Sequence, residues 1–207
     1  MSNQMHDYAI FDHDRSQMGR FLGLGSIIIS GLATQLLSLA YNSTGFEALT
    51  TATLTTGTAY FTLHFIFNKY CWKIPVFSIP NLSGKWLIEG KTLNEDGTVR
   101  FHWDGLIGIE QSWKSILIHL STQTSQSYSY TATISKRHGP TGGWQLSYSY
   151  RNEPEIEATH ELNPHKGYCE IQFDNELKSG SASYFNSAGR KTFGSLKLTR
   201  EPENDRL

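Results

Sequence analysis

Residues 21–46 (FLGLGSIIISGLATQLLSLAYNSTGF) and 48–68 (ALTTATLTTGTAYFTLHFIFN) decide the architecture. From Phe21 to Asn68 there is no Lys, Arg or Asp, and Glu47 is the one acidic residue. A helix needs about 20 mostly apolar residues to cross the ~30 Å hydrocarbon core of a bilayer. Both segments are long enough, and residues 42–47 place a polar, glycine-containing turn between them. This predicts a transmembrane helical hairpin over 21–69 behind a solvated cytoplasmic tail, 1–20. Two other readings fit less well. A secretory signal would start nearer Met1, carry a basic flank and lack a second apolar segment. A buried hairpin of a soluble protein draws on Thr50, Thr51, Thr53, Thr55, Thr56 and Thr58, which leave the second segment only moderately hydrophobic.

Arg15 and Arg20 precede the hairpin, Lys69 and Lys73 follow it, and the turn has neither residue type. The positive-inside rule then puts the N-terminus and everything after the hairpin in the cytoplasm, as a two-pass membrane protein. Ser26, Ser30, Thr34 and Ser38 recur every fourth residue, just after Gly19 and Gly23. Small polar residues at that spacing pack helices closely, either within one hairpin or between chains.

Outward from the hairpin the composition changes. Residues 74–81 (IPVFSIPN) hold two prolines, which disfavour helix at the preceding residue and predict an extended linker over 70–80. From 81 to 200, runs of Trp, Tyr, Ile, Val and Thr alternate with Gly, Asn, Asp and Pro, the punctuation of strands and turns. Strands are expected near 85–91, 98–110, 115–122, 128–136, 144–151, 157–162, 167–174, 176–185 and 192–200, with a C-terminal tail at 201–207. No helical pattern interrupts them, so neighbours should pair antiparallel. The expected fold is therefore membrane-anchored and all-β: a two-helix transmembrane hairpin, then a small, roughly eight-stranded antiparallel barrel, closed so that no edge is exposed.

The 207 residues carry a formal net charge of −1, which gives no pull on a nucleic-acid polymer. Cys71 and Cys169 have neither metal-ligand spacing nor a disulfide framework. The eight histidines lack HExxH, paired-cysteine or nucleophile-elbow context, so no catalytic residue, metal ligand or cofactor is expected. His160, Glu161 and His165 are separated by Pro164 and read as a turn, and His6, Asp7, Asp12, His13 and Asp14 as part of the solvated tail. The aromatic residues are more informative. Tyr128 and Tyr130 alternate on one strand, Tyr148 and Tyr150 on the next, and Trp103 adds to the supply. Rings with polar tips at a barrel mouth suit a ligand with flat rings and hydrogen-bonding edges, and Arg151 is the first candidate for a phosphate. The competing reading is that these rings simply fill the core.

Gly84-Lys85-Trp86 opening the first strand and Arg200 ending the last resemble the Gly-x-Trp and closing arginine of lipocalin-like barrels, where both are structural. The whole order, two membrane helices, a proline linker and a compact barrel, resembles the two-transmembrane β-barrel effectors of bacterial cyclic-oligonucleotide antiphage signalling (CBASS). That resemblance covers essentially the whole chain and carries no catalytic motif. It implies a barrel that senses a cyclic dinucleotide as activating ligand, self-association of liganded chains, and loss of membrane integrity. Alternatives from other classes are a tethered lipocalin-like carrier of an apolar molecule and a non-catalytic interaction module.

Overall fold

The computed structural model describes residues 5–11, 13–44, 56–140, 142–154, 164–187 and 191–202. It divides into two units: residues 13–77, and residues 1–12 together with 78–207.

In the helical unit, α1 (Arg15–Thr44) runs 30 residues, about 45 Å, and is long and apolar enough to cross a bilayer. It packs against α2 (Thr56–Lys69), with Ser30 Oγ 3.0 Å from Thr56 Oγ1. The threonines from Thr50 to Thr55 and the end of the connecting turn lie outside the described residues. The linker, expected to be extended, instead contains two 3-10 turns, Cys71–Lys73 and Pro75–Phe77. Pro75 opens the second because its fixed φ already suits a helical first position. Phe77 returns edge-on to Phe67, ring centroids 5.0 Å apart.

The other unit is a barrel with two extra strands. Its walls are β3 (Gly84–Leu93), β4 (Val99–Gln111), β5 (Ser115–Ser121), β6 (Ser125–Lys136), β7 (Trp144–Pro154), β8 (His165–Phe173), β9 (Ser179–Asn186) and β10 (Phe193–Arg200). Each pairs antiparallel with the next, β10 returns to β3, and the β5–β6 pairing completes the ring. Alternation along each strand puts one set of side chains in the lumen, which is why β3 and β10 read buried and exposed by turns. The strand expected at 157–162 lies outside the described residues.

One end of the barrel is plugged. Trp86 is fully buried, its ring 4.7 Å from that of Phe173, and its indole N–H donates to Leu82 O at 3.1 Å. The Arg200 guanidinium lies 5.2 Å over Trp86 and donates to the carbonyls of Leu177, Asn81 and Ser83. Gly84 stands beside it at φ 127°, a conformation that only glycine adopts without strain.

The N-terminal segment departs from the sequence expectation of a solvated tail. Residues 6–11 form a strap of two short strands, β1 (His6–Asp7) and β2 (Ala9–Ile10). The physical cause is a split in the wall. β5 and β6 pair only from His119–Ser121 to Gln126–Tyr128 and then diverge, so that Ile118 N–H donates to Ser129 Oγ instead of to a ladder carbonyl. The strap fills the gap: β1 runs antiparallel to β5, β2 runs parallel to β6, and Phe11 N–H donates to Ile134 O at 2.9 Å. Tyr8, between the two strands, is buried. Its hydroxyl donates to Ser112 O at 3.0 Å and accepts from Gln111 Nε2 at 3.1 Å. Unpaired strand edges and two apolar side chains outweigh the polar look of the segment.

Candidate functional site

Opposite the Trp86 plug, the barrel encloses a cavity of about 350 Å³, within the range of small-molecule sites. Its wall combines Phe101, Trp103, Tyr150 and Tyr184 with Thr92, Ser125, Ser127, Asn152, His165 and Asn186, among others. The described lining residues include no Lys or Arg and one carboxylate, Asp104, so polar recognition there rests on hydroxyls, amides, imidazoles and that carboxylate.

The cavity exists because three rings lie flat against glycines instead of filling the lumen. Trp103 pairs with Gly90, Tyr150 with Gly167 and Tyr184 with Gly194 on the neighbouring strands. A Cβ at Gly90 would stand 2.3 Å from Trp103 Cε2 and one at Gly167 2.4 Å from Tyr150 Cζ; one at Gly194 would meet the Lys91 carbonyl oxygen first, at 1.9 Å, and then Tyr184 Cε1 at 2.8 Å. Polar tethers hold two of the rings: Tyr184 OH is 2.7 Å from Thr92 Oγ1, and Tyr150 O–H donates to Asn186 Oδ1 at 2.7 Å. Asn186 Nδ2 in turn donates to Thr192 Oγ1 at 2.7 Å. A site fixed in this way loses little side-chain freedom on binding.

The structure brings together only part of the aromatic set read from sequence. Trp103 and Tyr150 line the cavity. Tyr148 faces inward but lies deeper, buried beside Cys169, its partner on β8. Tyr128, Tyr130 and Arg151 do not line the cavity: Tyr128 stacks on His119 outside the wall, ring centroids 4.6 Å apart, and Tyr130 and Arg151 are exposed. The cause is a bulge between Ser129 and Thr131, where Tyr130 has no partner on β7. One extra residue reverses which face every following side chain takes. Ala132 and Ile134 therefore face the core, as simple alternation suggests, while before the bulge Ser125, Ser127 and Ser129 face in and the tyrosines face out. Arg151 follows Tyr150 and points away by ordinary alternation. Sequence reasoning passed over Asn152 and Ser127. The signal for Asn152 was present, since it shares the parity of Tyr148 and Tyr150.

Two buried groups in this wall stay neutral. Burial pushes the Cys169 thiol up to about 12, against a smaller opposing effect of its hydrogen bond with Tyr148. Burial likewise raises the Tyr148 hydroxyl well above its ordinary range, with Cys169 and Tyr150 adding to the effect. Both are inert packing groups at neutral pH. His160 and Glu161 lie outside the described residues.

In α1, Ser26 and Ser30 are buried, each hydroxyl donating to its own helix at Gly23 O and Ile27 O, and Ser30 also meets α2 at Thr56. Thr34, whose hydroxyl donates to Ser30 O, and Ser38 are exposed. The stripe is thus divided, its first half used inside the hairpin.

Comparison with known proteins follows the same division of the chain. Residues 16–73 match the family described as "Cap15, TM helices", and residues 77–200 match "Cap15, cyclic dinucleotide receptor domain". A protein of Yersinia aleksiciae named CD-NTase-associated protein 15 is 34% identical over 207 residues, covering 94% of this chain and 97% of the relative. The chain belongs to the Cap15 family, with that family's membrane helices at its N-terminus and its cyclic dinucleotide receptor domain as the barrel.

Proposed function

We propose that this chain is a membrane-tethered effector of CBASS antiphage defence. A partner nucleotidyltransferase makes a cyclic dinucleotide, the barrel takes it up, liganded chains gather in the inner membrane, and the hairpins then disrupt the bilayer, causing growth arrest or cell death. The single observation that carries this reading is the cavity: flat aromatic walls set on glycines, lined by hydroxyls and amides, in a receptor domain of the matching family. Aromatic faces take bases, and neutral donors take phosphate oxygens without a buried cation. The polar lining does not favour an apolar cargo. The protein acts by binding, needs no cofactor, and keeps its N-terminus and barrel in the cytoplasm, where Arg15, Arg20, Lys69 and Lys73 hold both ends of the hairpin. Binding drives assembly because the assembled state holds the ligand more tightly than the separate chains do. Thr34 and Ser38, open on α1, are the first candidates for contacts between hairpins.

The test uses the full chain in lipid nanodiscs, titrated calorimetrically with cyclic dinucleotides and with the linear dinucleotide pApA. Saturable binding of a cyclic compound alone, followed by dye release from proteoliposomes on its addition, is the expected result. Absence of binding to any cyclic dinucleotide overturns the reading.

A further inference from the structure

The seam between β5 and β6 has two ways of satisfying its strand edges. Its three direct pairs, His119–Tyr128, Leu120–Ser127 and Ser121–Gln126, stop where the strap begins. Continuing their register would set Ile118 against Ser129 and Leu117 against Tyr130, and neither pair forms. Ile118 N–H goes instead to Ser129 Oγ, and the same Oγ lies 2.8 Å from His6 Nε2 of the strap. Tyr130, skipped by β7 at the bulge, is 44% exposed. The strap's hold is short, two residues against β5 and two against β6. With the strap withdrawn, direct pairing of β5 with β6 would cover the same edges. A seam with two such packings switches between them instead of deforming gradually.

Each side of the seam leads to a working part of the chain. Leu120 and Ser127, which face each other across it, both line the cavity. On the strap side, Phe11 is followed four residues later by Arg15, the first residue of α1. Gln111 joins the strap to the linker: Nε2 donates to the Tyr8 hydroxyl and to Pro80 O, both at 3.1 Å, and Oε1 accepts from Leu82 N–H at 2.9 Å. One amide thus binds the segment that enters the hairpin and the segment that leaves it.

We propose that the strap is an autoinhibitory wedge. Seated, it holds β5 and β6 apart and keeps the chain leading into α1 fixed to the barrel. A ligand that touches Leu120 and Ser127 together favours the directly paired seam, which expels the strap and frees that chain. This rests on the cyclic-dinucleotide reading above and supplies its regulation. The ligand distinguishes the two states because its contacts lie on the two strands whose spacing the wedge controls. By linkage, whatever fixes the strap in place weakens binding, and whatever loosens it strengthens binding. A strap that served only the fold would behave in the opposite way, since loosening it would disorder the wall and cost affinity.

A reversible lock tests this. Asp7 and Ser115 are register partners of an antiparallel pair, whose Cα atoms lie about 4.5–5.5 Å apart, within reach of a disulfide. Asp7→Cys with Ser115→Cys is made in the full chain carrying Cys71→Ser, which leaves only the buried Cys169 besides the new pair. The protein in nanodiscs is titrated with cyclic di-UMP, cyclic di-AMP, cyclic di-GMP and their mixed pairs, and the tightest binder is used for dye release from proteoliposomes. Affinity and the rate of dye release should both fall about fivefold or more in the oxidised protein and recover on reduction. Tyr8→Phe, which removes the hydroxyl bonds to Ser112 and Gln111, should bind about fivefold more tightly than wild type, and it decides the matter if the disulfide does not form. Oxidised protein that binds and leaks as its reduced form does, or a Tyr8→Phe variant that binds no more tightly than wild type, overturns the wedge. A wild-type protein that binds no member of the panel defeats the proposed function itself, whereas wild-type binding with an indifferent strap defeats only this inference.

Discussion

Replacing Gly90 by alanine should damage ligand binding while sparing the fold. The new Cβ would stand 2.3 Å from Trp103 Cε2, 2.5 Å from Cδ2 and 2.6 Å from Cζ2. Carbon atoms in ordinary contact are about 3.5–4.0 Å apart, so the indole must retreat by more than ~1 Å. Gly90 forms the wall behind the ring, and the space in front of it is the cavity. The retreat therefore narrows the site where a base would stack. Losing one stacking platform costs about 1–3 kcal/mol, or roughly fivefold to over a hundredfold in affinity. Stability should change little: removing a strand glycine contributes about 0.5–1 kcal/mol, and overpacking costs about 1–3 kcal/mol when a ring has nowhere to go. Here it has the cavity, so the melting temperature should shift by less than about 10 °C. Gly108→Ala is the control, since nothing lies within 4 Å of a Cβ there. Calorimetry with the best cyclic dinucleotide and a melting curve, both on the full chain, decide the matter. A folded Gly90→Ala variant with wild-type affinity would refute the claim that strand glycines set the cavity.

Tyr8→Ala should release the strap, because removing a buried aromatic costs about 3–5 kcal/mol and few other contacts hold residues 6–11. Hydrogen exchange should then speed up at Phe11 and Ile118 but not in β9 or β10, and uniform acceleration would show instead that the strap is part of the global fold. Tyr8→Phe should loosen the strap only slightly, by about 1 kcal/mol for each lost hydrogen bond. Asp174 caps the β8–β9 turn. Burial alone would raise its pKa, but bonds from the Ser179 side chain and from the backbone N–H groups of Lys178, Ser179 and Leu177 outweigh it and hold the carboxyl below its ordinary 3.8. A depressed native pKa adds stability above the unfolded value, and that stability disappears as pH falls through the native one. Asp174→Asn should accordingly be less stable than wild type at pH 7, with the gap closing below about pH 4; urea unfolding followed by barrel tryptophan fluorescence at both pH values checks this, and a gap undiminished in acid contradicts it.

Features that depend on local pattern were legible in the residues alone. A long stretch without Lys, Arg or Asp has few homes outside a bilayer, so the hairpin could be read directly. Strand-and-turn punctuation gave eight of the nine expected strands within a few residues of their observed ends, the ninth lying outside the described residues, and the resemblance to lipocalin-like barrels marked Trp86 and Arg200 as the plugged end. What escaped was set by partners distant in sequence. Alternation counted back from Ala132 and Ile134 puts Tyr128 and Tyr130 in the lumen, yet the bulge at Tyr130 turns them out and brings Ser125 and Ser127 in. A bulge is a mismatch between two strands, and neither strand shows it alone. The strap looked like a solvated tail because its value lies in the edges that β5 and β6 leave unpaired more than 100 residues away. Likewise Gly90, Gly167 and Gly194 became the floor of the site only once sheet register set each of them under a ring, since register joins residues through hydrogen-bonded neighbours and not through sequence distance.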